Sequence, residues 1–187
     1  MSWRAVVLCA KNAYVVVLVV AILIVGASHL TAQNIFSDES SKSSVCFSPD
    51  GGIKDKIIAK INLSKKSIKI AIYSFTSADI AWALDNAKNR GVDIAIIADK
   101  SQSTGKNSEI PFLISKNIKL KILQGKGRGI MHNKFAIFDG QEVVTGSYNW
   151  TNNAELYNYE NAIFICNPEA VNKFLGEFNR MWEVGVK

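Results

Sequence analysis

The chain has 187 residues, 48% of them apolar and 20% charged, with a formal net charge of +6. That length has room for one domain with a proper core, and the composition excludes an intrinsically disordered chain. With Arg4 and Lys11 set aside, the residues after Ala32 hold 20 basic and 16 acidic side chains, or +4. This mild excess is compatible with a polyanionic partner and with plain solubility alike.

No acidic residue precedes Asp38, and residues 1–32 read as a targeting or anchoring segment. Arg4 and Lys11 form a positive start, and Ala13 to Ala27 is an almost unbroken apolar run. The run is short for a membrane span, which needs about twenty residues. Val25-Gly26-Ala27 and Leu30-Thr31-Ala32 each offer a small-residue cleavage site. The expectation is a cleaved export leader that sends the protein to the periplasm or medium, with a retained N-terminal membrane anchor as the alternative. Cys9 lies ahead of the apolar core and is not placed as a lipoprotein cysteine. Residues 33–44 read as a polar linker without periodicity, and 45–187 as the folded domain.

Val45-Cys46-Phe47 predicts a first strand, broken by Ser48-Pro49-Asp50-Gly51-Gly52. Ile53, Ile57, Ile58 and Ile61, with lysines between them, predict an amphipathic helix over 53–63. Residues 67–75 read as a buried strand, and Ser77 as the cap of a helix over 78–89 that ends before Gly91. Residues 92–99 form another buried-type strand. This alternation argues for helices covering an extensively parallel sheet. Residues 100–108 are a polar loop on the side of such a sheet where ligands bind, and Lys106 there is either a substrate contact or a solvated lysine. A short helix over 110–116 and a strand over 118–123 follow. Next comes Gly125-Lys126-Gly127-Arg128-Gly129, whose glycines permit close backbone approach and whose cations, Lys126 and Arg128, are candidate substrate contacts. It is not a P-loop, because no strand–GxxxxGK[ST]–helix frame surrounds it. Beyond the central hairpin, 151–158 reads as a polar loop and 159–166 as a strand. A last helix starts at Asn167-Pro168, with Val171, Phe174, Leu175, Phe178, Met181 and Trp182 as its core face.

The stretch from Met131 to Trp150, MHNKFAIFDGQEVVTGSYNW, carries the chemistry. Two apolar runs flank Asp139-Gly140, a strong hairpin signal. Alternation puts His132, Lys134 and Ala136 on one side of the first strand. Ser147 and Asn149 lie just past the end of the second, which a hairpin returns to the start of the first. An imidazole that can attack phosphorus or protonate a leaving oxygen near neutral pH thus meets a lysine and an amide able to hold non-bridging oxygens. That set suits a phosphodiester.

The pattern H-x-K, four residues, D, six residues, G-S-x-N is filled by His132, Lys134, Asp139, Gly146, Ser147 and Asn149. Here the chain resembles the phospholipase D superfamily, in particular its small bacterial endonucleases with one copy of the pattern. FSPDGG, AIYSFTSADIAWAL, AKNRGVDIAIIAD, HNKFAIFD, GSYNWT and NYENAIFI carry the resemblance, over about three quarters of the chain. The same branch includes small bacterial proteins labelled phospholipase D and mitochondrial-surface relatives. The resemblance implies an α/β/α sandwich around a mixed, largely parallel sheet. It also implies that Ser147 orients the site and that Glu160 hydrogen-bonds and orients the histidine. Asp139 is expected to be a turn residue rather than a catalyst.

His29 falls in the leader, so the folded body has one histidine, His132. Cleavage through a covalent intermediate needs a nucleophile and an acid, and family members with one motif supply both by dimerising. The expectation is therefore a two-fold homodimer with one shared site, His132 of one protomer as nucleophile and His132 of the partner subunit as acid. One histidine, no CxxC pair and no carboxylate cluster make a poor ligand set, so neither metal nor cofactor is implied. Cys46 and Cys166 are expected as two buried free thiols, though export would allow a bridge. The functional expectation is a metal-independent, nonspecific endonuclease acting on DNA, with RNA as a further substrate. The alternative is a phospholipase D cutting phospholipid headgroups at a membrane, with Ile130, Met131, Tyr148 and Trp150 as its apolar rim. A non-catalytic phosphate-binding module is the third class, and the intact motif argues against it.

Overall fold

The computed structural model describes residues 43–186; the leader and most of the linker read above lie outside them. Seven strands form one mixed sheet: β1 (Ser44–Ser48), β2 (Ser67–Ile72), β3 (Asp93–Asp99), β4 (Lys119–Leu123), β5 (Lys134–Phe138), β6 (Glu142–Gly146) and β7 (Glu160–Ile165). Their order is β1-β7-β6-β5-β2-β3-β4. The helices are α1 (Ile53–Leu63), α2 (Ala78–Asn89), α3 (Lys100–Ser103), α4 (Ile110–Ser115), α5 (Asn152–Leu156) and α6 (Pro168–Val184).

The parallel pairings are β2 with β3 and β3 with β4. The hairpin and the strands beside it pair antiparallel. The sheet is mixed as expected but not largely parallel: the parallel part stops at β2 because β5 enters from a loop at the same sheet end instead of through a crossover helix, so it runs against its neighbour.

Alternation along each strand divides the core between two faces. Ile68, Ile70, Ile72, Ile94, Ile96, Ala136 and Phe138 point at α1 and α2, while Ala71, Ile97, Phe135 and Ile137 point at α6. Ile53, Ile57 and Ile61 recur every fourth residue of α1 and are buried. Each such side chain contributes about 1.5–3 kcal/mol of apolar burial. Helix α6 starts with Pro168 in its first turn and Asn167 as cap, Oδ1 accepting from the Ala170 N–H at 2.9 Å. It buries Val171, Phe178 and Met181. The result is the expected α/β/α sandwich.

Three local expectations change. Residues 100–103 and 152–156 are short helices, not loop. Asp99 accepts from the backbone N–H groups of Ser101 and Gln102, and Thr151 from that of Ala154, so side-chain caps organise turns too short to show a period. Ser77 stands at the cap position of α2 but its hydroxyl makes no capping bond and is buried without a partner. Its N–H donates instead to Trp150 O at 3.0 Å, which ties the helix start to the segment after β6. Cys46 and Cys166 are free and only half-buried. Cys46 pairs across from Ala162 while Cys166 lies beyond the end of β7, too far along the register to bridge.

Candidate active site

The C-terminal ends of β2, β3, β4 and β6 and the N-terminal ends of β5 and β7 share one end of the sheet. The turn at the other end of the hairpin puts both Asp139 and Gly140 at positive φ (53° and 68°), closed by Gln141 N–H to Phe138 O at 2.9 Å. It fixes the register Phe135 opposite Thr145, so the chain after Gly146 returns beside Lys134 and His132.

His132 is exposed, two residues ahead of Lys134, where β5 begins to pair with β2. Its ring meets Tyr73 edge-on, with centroids 4.5 Å apart. The residue before it, Met131, is pinned by its N–H to Asp99 Oδ2 at 2.9 Å, and Asp99 is 1% exposed. Lys134 opens β5 on the face shared with Ala136 and is buried. It lines a narrow cleft with Val144, Tyr148, Trp150 and Ala162. Its Nζ donates to His132 O at 2.9 Å and lies 5.0 Å from the Tyr73 ring centroid. Burial lowers its pKa from the usual lysine range, and the Glu160 carboxylate opposes that shift.

Gly146 passes so close to β7 that a Cβ there would lie 2.2 Å from Asn161 O. Just beyond it, the N–H groups of Ser147 and Tyr148 donate to Asn161 O at 3.1 and 3.3 Å. Ser147 Oγ accepts from the Asn161 N–H at 3.1 Å. The Tyr148 hydroxyl donates to Glu155 Oε2 at 2.7 Å. Burial, with Glu155 beside it, holds that phenol far above the tyrosine range, so it stays a neutral donor. Asn149 is half-buried, and its Oδ1 is buried without a hydrogen-bond partner. An unpaired buried acceptor costs about 1–3 kcal/mol, and turning the amide over would present Nδ2, a donor, in its place.

Among the described residues, Glu160 makes no hydrogen bond to His132. Its Oε1 accepts from Asn158 Nδ2 at 3.1 Å. Glu160 opens β7, and β6 separates it from β5, two strand spacings or roughly 10 Å. It acts on Lys134 through space instead. Asp139 sits at the far end of β5, its carboxylate accepting from the backbone N–H groups of Lys65, Lys66 and Ser67 at 3.0, 2.8 and 3.0 Å. Burial pushes its pKa up, but these donors outweigh it and hold the carboxyl below the usual range.

The basic-loop residues separate. Lys126 lines a groove of about 530 Å³ together with His132, Asn133, Met131, Met181 and Val184. Arg128 lines a neighbouring groove of about 360 Å³ with Lys100 and Gln124. Lys106 is exposed and lines neither. Among the described residues, Lys100, Lys126 and Arg128 have no carboxylate partner. No group of three His, Cys, Asp or Glu side chains among the described residues is placed to hold a metal ion. Sequence reading missed Tyr73, Asp99 and Asn161. Of these only Asp99, at a strand end before Ser and Gln, carried a local signal, that of a helix cap.

A family model described as cardiolipin synthase, PLD-like domain, matches residues 57–182. Over 153 residues the chain is 36% identical to the phospholipase D of Rickettsia conorii, covering 82% of this chain and 76% of that protein. The structure is similar to that of Nuc from Salmonella typhimurium, a phospholipase D family member, with a TM-score of 0.71 and 36% identity over 77% of this chain and 95% of that one. It is equally similar to NucT from Helicobacter pylori, at TM-score 0.72 and 35% identity, covering 78% and 98%.

Proposed function

The chain belongs to the phospholipase D superfamily, and from that premise we propose that it is a metal-independent phosphodiesterase working through a phosphohistidine, and that it serves as a nonspecific endonuclease on DNA, with RNA as a further substrate. The observation that carries this reading is the joining of an exposed imidazole, a buried ammonium and an unpaired buried amide at one end of the sheet. His132 attacks phosphorus and forms a P–N bond as the P–O bond to the leaving group breaks. His132 of the partner subunit gives its proton to the leaving oxygen, then takes one from water as that water breaks the P–N bond. The dimer answers the arithmetic of a body with one histidine. Lys134 and Asn149 hold the non-bridging oxygens, the amide turning Nδ2 toward them, and Ser147 keeps the strand end in place through Asn161. The unpaired cations Lys126 and Arg128 contact flanking phosphates, and Lys106 reaches the backbone farther out.

The coverage of nearly the whole of two Nuc-type chains supports a nuclease. A second reading, phospholipid headgroup hydrolysis, is favoured by the groove beside His132, whose lining includes Leu123, Ile130, Met131, Met181 and Val184. Export, or anchorage by residues 1–32, is compatible with either. The full chain in mild detergent, with EDTA, is to be set against plasmid DNA and phosphatidylcholine vesicles, beside His132→Ala. Nicking that disappears in the variant supports the nuclease. Headgroup release with intact plasmid moves the assignment to the lipid, and equal activity in the variant removes the mechanism.

A further inference from the structure

Tyr73 is the residue just past β2, and nothing in the motif points to it. Its N–H donates to Asn133 O at 2.9 Å, which extends the pairing of β2 with β5 to the residue between His132 and Lys134. Its hydroxyl accepts from Gln102 Nε2 at 3.3 Å, on α3. The half-buried ring is thus held at both ends. One edge-to-face contact joins it to the His132 imidazole, at 4.5 Å and 61° between planes, and the Lys134 ammonium stands 5.0 Å from its centroid.

Neither partner has much other support. Among the described residues no hydrogen bond fixes the His132 ring, and the Lys134 ammonium has the carbonyl of His132 as its hydrogen-bond acceptor. An exposed imidazole on a loop samples several rotamers unless something packs against it. A buried ammonium with one acceptor is poorly solvated, and an aromatic face supplies some of the missing stabilisation.

We propose that Tyr73 is a positioning residue of this site, its ring holding the His132 imidazole in one orientation while its π face supports the Lys134 ammonium. The inference rests on the phosphodiesterase reading but not on which diester is the natural substrate. The hydroxyl's part is to anchor the ring to Gln102; the ring itself does the positioning.

The test uses the full chain in detergent with bis(p-nitrophenyl) phosphate, which reports phosphodiester turnover whatever the natural substrate. Wild type, His132→Ala, Tyr73→Leu and Tyr73→Phe are compared for kcat and KM. Tyr73→Leu is expected to lower kcat about 10- to 100-fold with KM little changed, the scale of misplacing one reacting group. Tyr73→Phe restores kcat to within about threefold, since only the Gln102 bond is gone. Equal losses in Phe and Leu would move the role to the hydroxyl and overturn the inference. So would a Leu variant with wild-type kcat. Should Tyr73→Leu fail to fold, Tyr73→Met repeats the comparison with a flexible side chain. Loss of all difference between wild type and His132→Ala would instead remove the phosphodiesterase reading beneath it.

Discussion

Asp139 is part of the motif pattern yet stands seven residues of extended chain, roughly 20 Å, from His132. Its carboxylate accepts three backbone N–H groups from the loop that leads from α1 into β2. Replacing it should therefore cost stability, not chemistry. A buried hydrogen bond to a charged group contributes about 1.5–3 kcal/mol, and partial exposure here lets water replace much of each, leaving about 1 kcal/mol apiece. Asp139 also sits at φ 53°, where alanine loses about a further 1 kcal/mol. The sum for Asp139→Ala is about 4 kcal/mol, or a urea midpoint lowered by about 2 M at a slope of about 2 kcal/mol/M. Asp139→Asn, which tolerates that backbone and keeps one acceptor oxygen, should lose about half as much. Urea titration followed by tryptophan fluorescence reads both. The folded pKa is depressed, so the contribution is present above the ordinary carboxyl value of 3.8 and disappears as pH falls through the lower folded value. Wild type and Asp139→Asn should converge in stability there. An unchanged midpoint with collapsed kcat would refute this and place Asp139 in the chemistry.

Three further outcomes follow from the same geometry. Gly146→Ala drives a Cβ to within 2.2 Å of Asn161 O and should cost about 3 kcal/mol while displacing Ser147; a thermal melt and kcat together check it. Burial lowers the pKa of Lys134, so the unfolded chain binds the extra proton between that value and 10.5 and stability rises with pH through the window. Lys134→Met should abolish turnover while gaining about 1 kcal/mol in a urea titration. The double substitution of Lys126 and Arg128 by Gln should reduce the slope of log K against log salt for DNA by about 2, measured by fluorescence anisotropy; an unchanged slope removes both from the binding surface.

The fold was legible where local chemistry decides it. The isoleucine spacing of α1, the bounds of α2 and the Asp-Gly turn need no tertiary information, and the turn alone places the four motif side chains at one end. What was not legible depends on which strands become neighbours. Glu160 opens a strand two places from β5, so its reach falls on Asn158 and the field of Lys134 instead of on the imidazole. Tyr73 reads in sequence as one more strand residue and becomes a partner of His132 only because β2 and β5 pair antiparallel. Asn161 gains its role from the close crossing of Gly146 on β7. The helices α3 and α5 were hidden because one side-chain cap, not a hydrophobic period, forms each.

The central claim is that the phosphoryl group passes through His132. The most direct measurement is acid-free rapid quenching of the enzyme with a labelled phosphodiester, followed by mass spectrometry of the peptide that contains residues 129–134. The account predicts a phosphoryl adduct on His132 that appears within one turnover and is missing from His132→Ala. Turnover at full rate with that peptide unmodified, or an adduct on any other residue, would contradict it.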